Sequence, residues 1–127
     1  MPELKRIIAT RIVATPSSLD AVLWPKEALA LRIAPDEVLV TTEVSGDIVN
    51  DPHAIVEPDT GFAACWIPAN EALDFLERSC EWELPRERPA FAQGAVAGLP
   101  VKLWFEAERV LFITYAPLAT DLEERLS

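Results

Sequence analysis

Two acidic side chains, Glu57 and Asp59, stand one residue apart in the stretch AIVEPDTGFAACWIP, residues 54–68. On an extended strand their Cα atoms would lie about 6.6 Å apart on one face. Such a pair could act in acid–base chemistry or contact two donors of a ligand or partner, but catalytic carboxylates need burial or a coupled charge. The intervening proline and Thr60 favour a solvated turn. We therefore predict a turn with local backbone hydrogen bonds, and keep Glu57, Asp59 and Thr60 as candidate contacts.

A second group of potential ligands precedes this pair. Asp51 and His53, together with Glu57 and Asp59, offer the carboxylate and imidazole groups that bind divalent cations. A proline follows Asp51, which is typical of a turn, and an acidic chain brings such groups together by chance. A solvated loop is therefore the prediction, and a metal site at His53 and Asp51 is the alternative.

Other catalytic and cofactor signatures are missing from the sequence. His53 is the only histidine, no G-x-S-x-G motif occurs, and neither cysteine has a histidine near it in sequence. None of the four glycines belongs to a G-x-G-x-x-G or Walker pattern, so a nucleotide or flavin site is not expected. The sequence predicts no cofactor, no resident metal and no catalytic residue, and it favours a chain that is not an enzyme by itself.

Composition and charge limit the class of partner. The chain has 127 residues, the size of a single domain over residues 1–127, and half of them are apolar. A formal net charge of −10 argues against nucleic acid and anionic membranes and is compatible with docking onto a basic protein surface. No signal peptide or membrane-length apolar run is present, so we expect a soluble cytoplasmic protein. Cys65 and Cys80 are predicted to be buried free thiols.

The periodicity of apolar residues predicts an α+β fold. Residues 5–14 and the segments around the loop at residues 54–68 have strand composition, and LALRIAPDEVLVTTE has the pattern of a hairpin with Pro35 in its turn. PANEALDFLERSC changes to helical spacing, with Ala72, Leu73 and Leu76 on one face. Short helices are predicted after a cap at Ser17 or Ser18 and, through a capping box from Thr120 to Glu123, at the C-terminus.

An internal similarity indicates a repeated arrangement. LRIAPDEVLVTT and LWFEAERVLFIT match at a constant offset, so that Leu31 corresponds to Leu103 and Val38 to Val110. Each hairpin follows a predicted strand and helix. We therefore predict strand-helix-hairpin twice, in an antiparallel or mixed sheet with helices on one face, ferredoxin-like elements and a terminal helix.

The four tryptophans are assigned from their surroundings. Trp66 and Trp104 lie in strand patterns and are predicted to be core residues, whereas Trp24 precedes a proline. Trp82 lies in the charged segment EWELPRERP. Exposed aromatic residues next to charge are common at interfaces, so Trp82 and Phe91 are candidates for a docking patch. Simple packing against the sheet is the alternative.

The order of these motifs resembles the γ subunit of heterotetrameric sarcosine oxidase over roughly residues 28–126. LRIAPDEVLV is similar to that family's LRLGPDEWLL hairpin, and PAFAQGAVAGLPVKLWF is similar to its Ala-Phe-x-x-Gly segment and strand. Cys80, Leu84, Phe91 and Gly94 match. The family's Asp-x-Ser-His signature is altered, since Glu57, Asp59 and Thr60 stand at its Asp, Ser and His positions. Pro68-Ala69 also replaces Ser-Gly, and Glu81-Trp82-Glu83 replaces Pro-Leu-Asp.

The resemblance implies a fold similar to the folate-binding domain of the glycine-cleavage T protein. It also implies a small non-catalytic accessory subunit, or a divergent stand-alone homologue, that contacts the larger flavin-bearing oxidase subunits. Association with a second copy of the chain is a further expectation. The alternative is a protein that binds a small molecule, either folate or another one-carbon compound, with Glu57 and Asp59 contacting a pterin-like or amine group.

Overall fold

The computed structural model describes residues 2–127 and divides into two compact units. The N-terminal unit is the continuous segment 7–60, and the C-terminal unit combines residues 2–6 with residues 61–127. Each unit has its own sheet and its own cluster of buried apolar side chains. The predicted α+β class is confirmed, with two antiparallel sheets. The prediction of one domain over residues 1–127 stays a prediction.

Residues 2–127 form nine strands and three α-helices. In chain order they are β1 (Lys5–Arg6), β2 (Ala9–Val13), α1 (Pro16–Asp20), β3 (Ala30–Ala34), β4 (Glu37–Val40), β5 (Ile55–Asp59), β6 (Phe62–Pro68), α2 (Ala69–Ser79), β7 (Ala90–Val96), β8 (Leu99–Phe105), β9 (Arg109–Tyr115) and α3 (Ala119–Leu126). Short 3-10 turns occupy Gly46–Ile48 and Ala116–Leu118. Within residues 2–127, none of the helices combines the length and the apolar composition that a membrane span requires.

The sheet of the N-terminal unit has the order β3-β4-β2-β5. Its β3–β4 hairpin turns at Pro35, as the sequence predicts, because proline presets the turn dihedral. One face packs with Leu19 of α1 in a cluster that includes Ile12 and Val40. Helix α1 is capped by Thr15, so the prediction of a cap at Ser17 or Ser18 is wrong: Pro16 takes the first helical position, which makes the preceding residue the cap.

The sheet of the C-terminal unit has the order β1-β6-β9-β8-β7. Helices α2 and α3 pack on one face of this sheet, the helix face, where Phe75 lies 6.2 Å from Phe112 between ring centroids and Leu122 is fully buried. The predicted apolar stripe of α2 is largely confirmed, since Ala72 and Leu76 are buried and Leu73 packs at its edge.

The start of α3 differs from the predicted capping box. The helix begins at Ala119 as a continuation of the preceding 3-10 turn, so Thr120 lies inside the helix and makes no cap hydrogen bond. The Glu123 carboxylate accepts a hydrogen bond from the backbone N–H of Leu4 instead, at 2.9 Å. This bond attaches the segment before β1 to α3 within the C-terminal unit.

Both sheets use the same connectivity. In the N-terminal unit the chain passes from β2 through α1 into the β3–β4 hairpin, and β4 pairs with β2. In the C-terminal unit it passes from β6 through α2 and then β7 into the β8–β9 hairpin, and β9 pairs with β6. The outer neighbour of β2 is β5, and the outer neighbour of β6 is β1. The strand-helix-hairpin repeat predicted from sequence is therefore present, with β7 added at the edge of the second sheet.

Candidate interaction surface

The predicted carboxylate pair lies on an edge strand. Glu57 pairs in register with Arg11 of β2, and its Oε1 lies 3.2 Å from an Nη of that guanidinium. Arg11 also bonds Glu37 through Nε at 2.8 Å, and these contacts, Glu37 first, raise the pKa of Arg11. Glu57 and Asp59 lie two positions apart on β5, which extends to Asp59, so the prediction of a turn at this pair is wrong: pairing with β2 keeps the backbone extended, and Thr60 follows the strand. Glu57 is exposed and ion-paired. It therefore lacks the burial that acid–base catalysis needs.

Asp51 and His53, the candidates for a metal site, lie in a loop that Asp51 stabilises by hydrogen bonds to the backbone. Asp51 accepts the backbone N–H of His53 at 2.9 Å through one carboxylate oxygen and that of Thr15 at 3.1 Å through the other. These two hydrogen bonds, the one from His53 first, lower the pKa of Asp51. Among residues 2–127, no three His, Cys, Asp or Glu side chains lie close enough together to hold a metal ion. The geometry assigns Asp51 a local structural role.

Both cysteines are free and half-buried. Cys65 lies on β6 and packs against the core of the C-terminal unit, where burial, with a smaller effect of the Glu123 charge, raises its pKa to about 11. Burial also raises the pKa of Cys80, which follows α2. A raised pKa keeps both sulfurs as neutral thiols at neutral pH, and neutral thiols are poor nucleophiles.

The two predicted docking residues lie on opposite faces of β7. Trp82 packs against the core on the helix face, next to Gly94, and its indole N–H donates to the carbonyl oxygen of Ala95 at 2.8 Å. Phe91 pairs in register with Trp104 and shares its face, the side of the sheet away from the helices. Trp82 and Phe91 therefore do not form one patch. A contact role for Phe91 stays a prediction.

Trp66 is an exposed tryptophan on the face of the sheet away from the helices. The sequence predicts Trp66 as a core residue, but the structure leaves 37% of it exposed. The residues of β6 that pack into the helix-side core are Ala63, Cys65 and Ile67, so the strand's alternation points Trp66 the other way. Its ring is covered by the guanidinium of Arg109, whose Cζ lies 3.6 Å from the ring centroid.

A hydrogen-bonded chain fixes this stack. Arg109 donates through Nε to Oε1 of Glu106 at 2.9 Å, and the indole N–H of Trp104 donates to Oε2 of the same carboxylate at 3.1 Å. Trp66 and Trp104 both stand opposite Leu111 in the strand register, and Phe91 stands opposite Trp104. We call Trp66, Phe91, Trp104, Glu106 and Arg109 the tryptophan surface. Its aromatic side chains lie on β6, β7 and β8, in one row with Leu111 of β9, and one cation is held in place beside them.

A neighbouring aromatic pair lies towards the other end of the same face. Phe62 and Tyr115 stack with ring centroids 5.2 Å apart, and the Lys102 ammonium lies 5.4 Å and 5.7 Å from these two centroids. Tyr115 is 46% exposed and, with Lys102, lines an open pocket of about 490 Å³. Aromatic and cationic side chains therefore occur together at two places on this face.

The fold and this surface define an α+β protein with repeated connectivity and a tryptophan–arginine surface on its five-stranded sheet. No protein-family model matches the chain, and a comparison with curated proteins also gives no match. The sequence signal that could have located the surface is the hairpin segment WFEAERV. It places Trp104, Glu106 and Arg109 around one tight turn, where their side chains can meet.

Proposed function

We propose that this chain is a non-catalytic accessory subunit, or a stand-alone homologue of one, that acts by binding a larger flavoprotein oxidase. The resemblance to the sarcosine oxidase γ subunit motivates the choice of partner. The observation that carries the proposal is the Trp66–Arg109 stack, which combines two of the residue types most frequent at interface hot spots.

The tryptophan surface has the physical features of a binding anchor. Trp66 remains 37% exposed, so a partner can still remove apolar area from water. Arg109 is held between the Trp66 ring and Glu106, which lowers the side-chain entropy lost when a partner orders it. Tryptophan and arginine buried on association contribute most where neighbouring side chains exclude water, and Trp104 and Phe91 supply such neighbours.

The test is co-purification from the native host. A tagged chain is expected to recover a larger flavin-containing protein, identified by its absorbance and by mass spectrometry. Trp66→Ser is expected to reduce recovery at least tenfold, because loss of a hot-spot aromatic costs about 2 kcal/mol or more. Leu23→Ser is the matched control, since Leu23 is 92% exposed and lies in the N-terminal unit.

Three outcomes would contradict this proposal. Recovery of no protein above background would exclude a stable protein partner. Equal loss of binding in Leu23→Ser and Trp66→Ser would show that the partner does not bind at the tryptophan surface. Size-exclusion chromatography with light scattering that detects only a stable homo-oligomer, sensitive to Trp66→Ser, would assign the surface to a second copy of the chain.

Binding of folate or another one-carbon compound is the second candidate. The supporting observation is that Glu57 and Asp59 are two residues apart on β5, so an amine or pterin-like group could contact both carboxylates. Such a ligand would compete with Arg11 for Glu57. Binding raises the melting temperature by mass action, so a thermal-shift titration with a tetrahydrofolate analogue tests this candidate. The absence of a shift at millimolar ligand would remove it.

A further inference from the structure

The tryptophan surface presents hydrogen-bond donors without matching acceptors. Arg109 uses Nε for Glu106, but neither terminal Nη atom has a hydrogen-bond partner among residues 2–127, and the side chain is 52% exposed. The indole N–H of Trp66 likewise has no hydrogen-bond partner within that range. The outer edge of the guanidinium and the neighbouring indole therefore offer several N–H groups to solvent at one place.

The surrounding strands add no competing carboxylate. The five strands of this sheet contain no Asp or Glu, although the whole chain has 21 of them. Lys5 and Lys102 share the face of the sheet with Arg109 and Trp66, as the strand register requires. Glu106 is the acidic residue that contacts the stack, and both of its carboxylate oxygens are already bonded, to Arg109 and Trp104.

We propose that Arg109 and Trp66 bind a carboxylate presented by a segment of a partner protein. An apolar side chain of the same segment packs on the Trp66 ring. A guanidinium edge with two free Nη atoms matches the two oxygens of a carboxylate in a bidentate pair. Trp66 is 37% exposed and the Arg109 side chain 52%, next to the buried Leu111, so a free small carboxylate would contact the guanidinium edge alone. A chain segment can cover both the cation and the exposed part of Trp66.

Pre-positioning strengthens this assignment. The Glu106 bond and the stack on Trp66 fix the guanidinium plane before any partner arrives, so the ordering cost of a long side chain is reduced. Lysine at this position would supply charge without the fork of donors, so the site should distinguish arginine from lysine. This inference rests on the proposed function, because it names the chemistry by which the partner is recognised.

The experiment is an NMR titration of the ¹⁵N-labelled full chain with benzoate, and with the uncharged benzamide as its matched ligand. Benzoate is expected to shift the Trp66 indole and Arg109 Nε resonances saturably, with a Kd in the millimolar range, while benzamide gives at least about tenfold weaker binding. The Trp82 indole is the internal control, since its N–H is bonded to Ala95 on the other face.

Variants separate the guanidinium from general charge. Arg109→Gln is expected to weaken benzoate binding about tenfold, and Arg109→Lys by an intermediate factor. Arg78→Gln is the matched control, because Arg78 is also an exposed arginine with an acidic neighbour, on α2. A short blocked peptide with phenylalanine next to glutamate should bind more tightly than benzoate, and its glutamine version should bind more weakly.

The inference is overturned if benzoate and benzamide shift the same resonances with equal affinity. It is also overturned if Arg109→Gln leaves benzoate binding unchanged, or if Arg78→Gln weakens binding equally. A peptide that binds no better than benzoate would limit the site to free carboxylates and overturn the segment as occupant. The two proposals can fail separately. Carboxylate binding without a recovered partner would exclude the oxidase as partner. Equal recovery of a partner by the wild type and by Arg109→Gln would exclude the carboxylate contact.

Discussion

Trp82 lies directly against Gly94 on the helix face of β7. A Cβ placed on Gly94 would be 2.9 Å from the indole Cε2 and Nε1 atoms, closer than real Cβ contacts come. The same indole donates to Ala95, the next residue of the strand, at 2.8 Å. The loop before β7 is therefore attached to this edge strand by one ring that requires glycine beneath it.

Gly94→Ala is expected to destabilise the protein by about 1–3 kcal/mol, because the added methyl must displace the ring or bend the strand. The free energy of unfolding in urea measures this. Gly46→Ala is the matched control: its added Cβ would make an ordinary contact with Val56 at 3.6 Å, and its effect should stay within about 0.5 kcal/mol. Equal losses in the two variants would contradict the packing argument.

Ala97 adopts a left-handed conformation, with φ of 50°, in the two-residue turn it forms with Gly98 between β7 and β8. Its N–H donates to the carbonyl of Ser79 at 2.8 Å, and its own carbonyl accepts from Arg125 at 2.9 Å. Hairpin turns of this kind favour Asn-Gly. Ala97→Asn is therefore expected to raise the free energy of unfolding by about 0.5–1 kcal/mol.

The matched control for that substitution is Ala95→Asn, which places the same side chain on β7 in extended backbone. Asparagine is unfavourable in strands, so this control is expected to lower stability slightly. Thermal unfolding of both variants provides the comparison. A loss of stability in Ala97→Asn would contradict the conclusion that backbone strain at this turn outweighs the contacts of the alanine methyl.

The hairpins were the parts of the fold that sequence could predict. The β3–β4 turn carries proline at the position that presets its dihedral, and the Leu31–Val38 and Leu103–Val110 patterns repeat around two turns. These signals are local, since a strand, a tight turn and a strand occupy consecutive residues. The division of the strands between two sheets depends on pairings distant in sequence, such as β1 with β6, and no local pattern specifies them.

The candidate surface was missed because strand parity cannot be read from β6 alone. In FAACWIP, both alternating sets contain apolar residues, so either could face the core. Packing selects the set containing Cys65 and Ile67, and Trp66 falls on the other face. The predicted capping box is absent because a contact distant in sequence replaces it. Glu123 accepts a hydrogen bond from the backbone N–H of Leu4, which lies 119 residues away along the chain.

Asp51 makes a pH-dependent contribution to stability. Its pKa is lowered in the folded state by the hydrogen bonds from His53 and Thr15, so the contribution is fully present above the ordinary value of 3.8 and is lost as pH falls through the lower folded value. Asp51→Asn is expected to have a lower free energy of unfolding than the wild type near neutral pH. This difference is expected to become smaller as pH falls through the acid range. The free energy of unfolding in urea, measured at several pH values for both proteins, tests this, and a difference that stays constant as pH falls would contradict a lowered pKa of Asp51 in the folded state.

Cys65 provides the complementary test at high pH. Its pKa is raised from 9.0 to about 11 by burial, with a smaller effect from Glu123. Below pH 9.0 the thiol is protonated in both states. Between these values the unfolded chain releases its proton while the folded chain retains it, so stability falls as pH rises. The free energy of unfolding of the wild type should therefore decline more steeply over this range than that of Cys65→Ala, which keeps Cys80. Parallel curves for the two proteins would show that Cys65 titrates alike in both states, and would contradict its burial against the helix-side core.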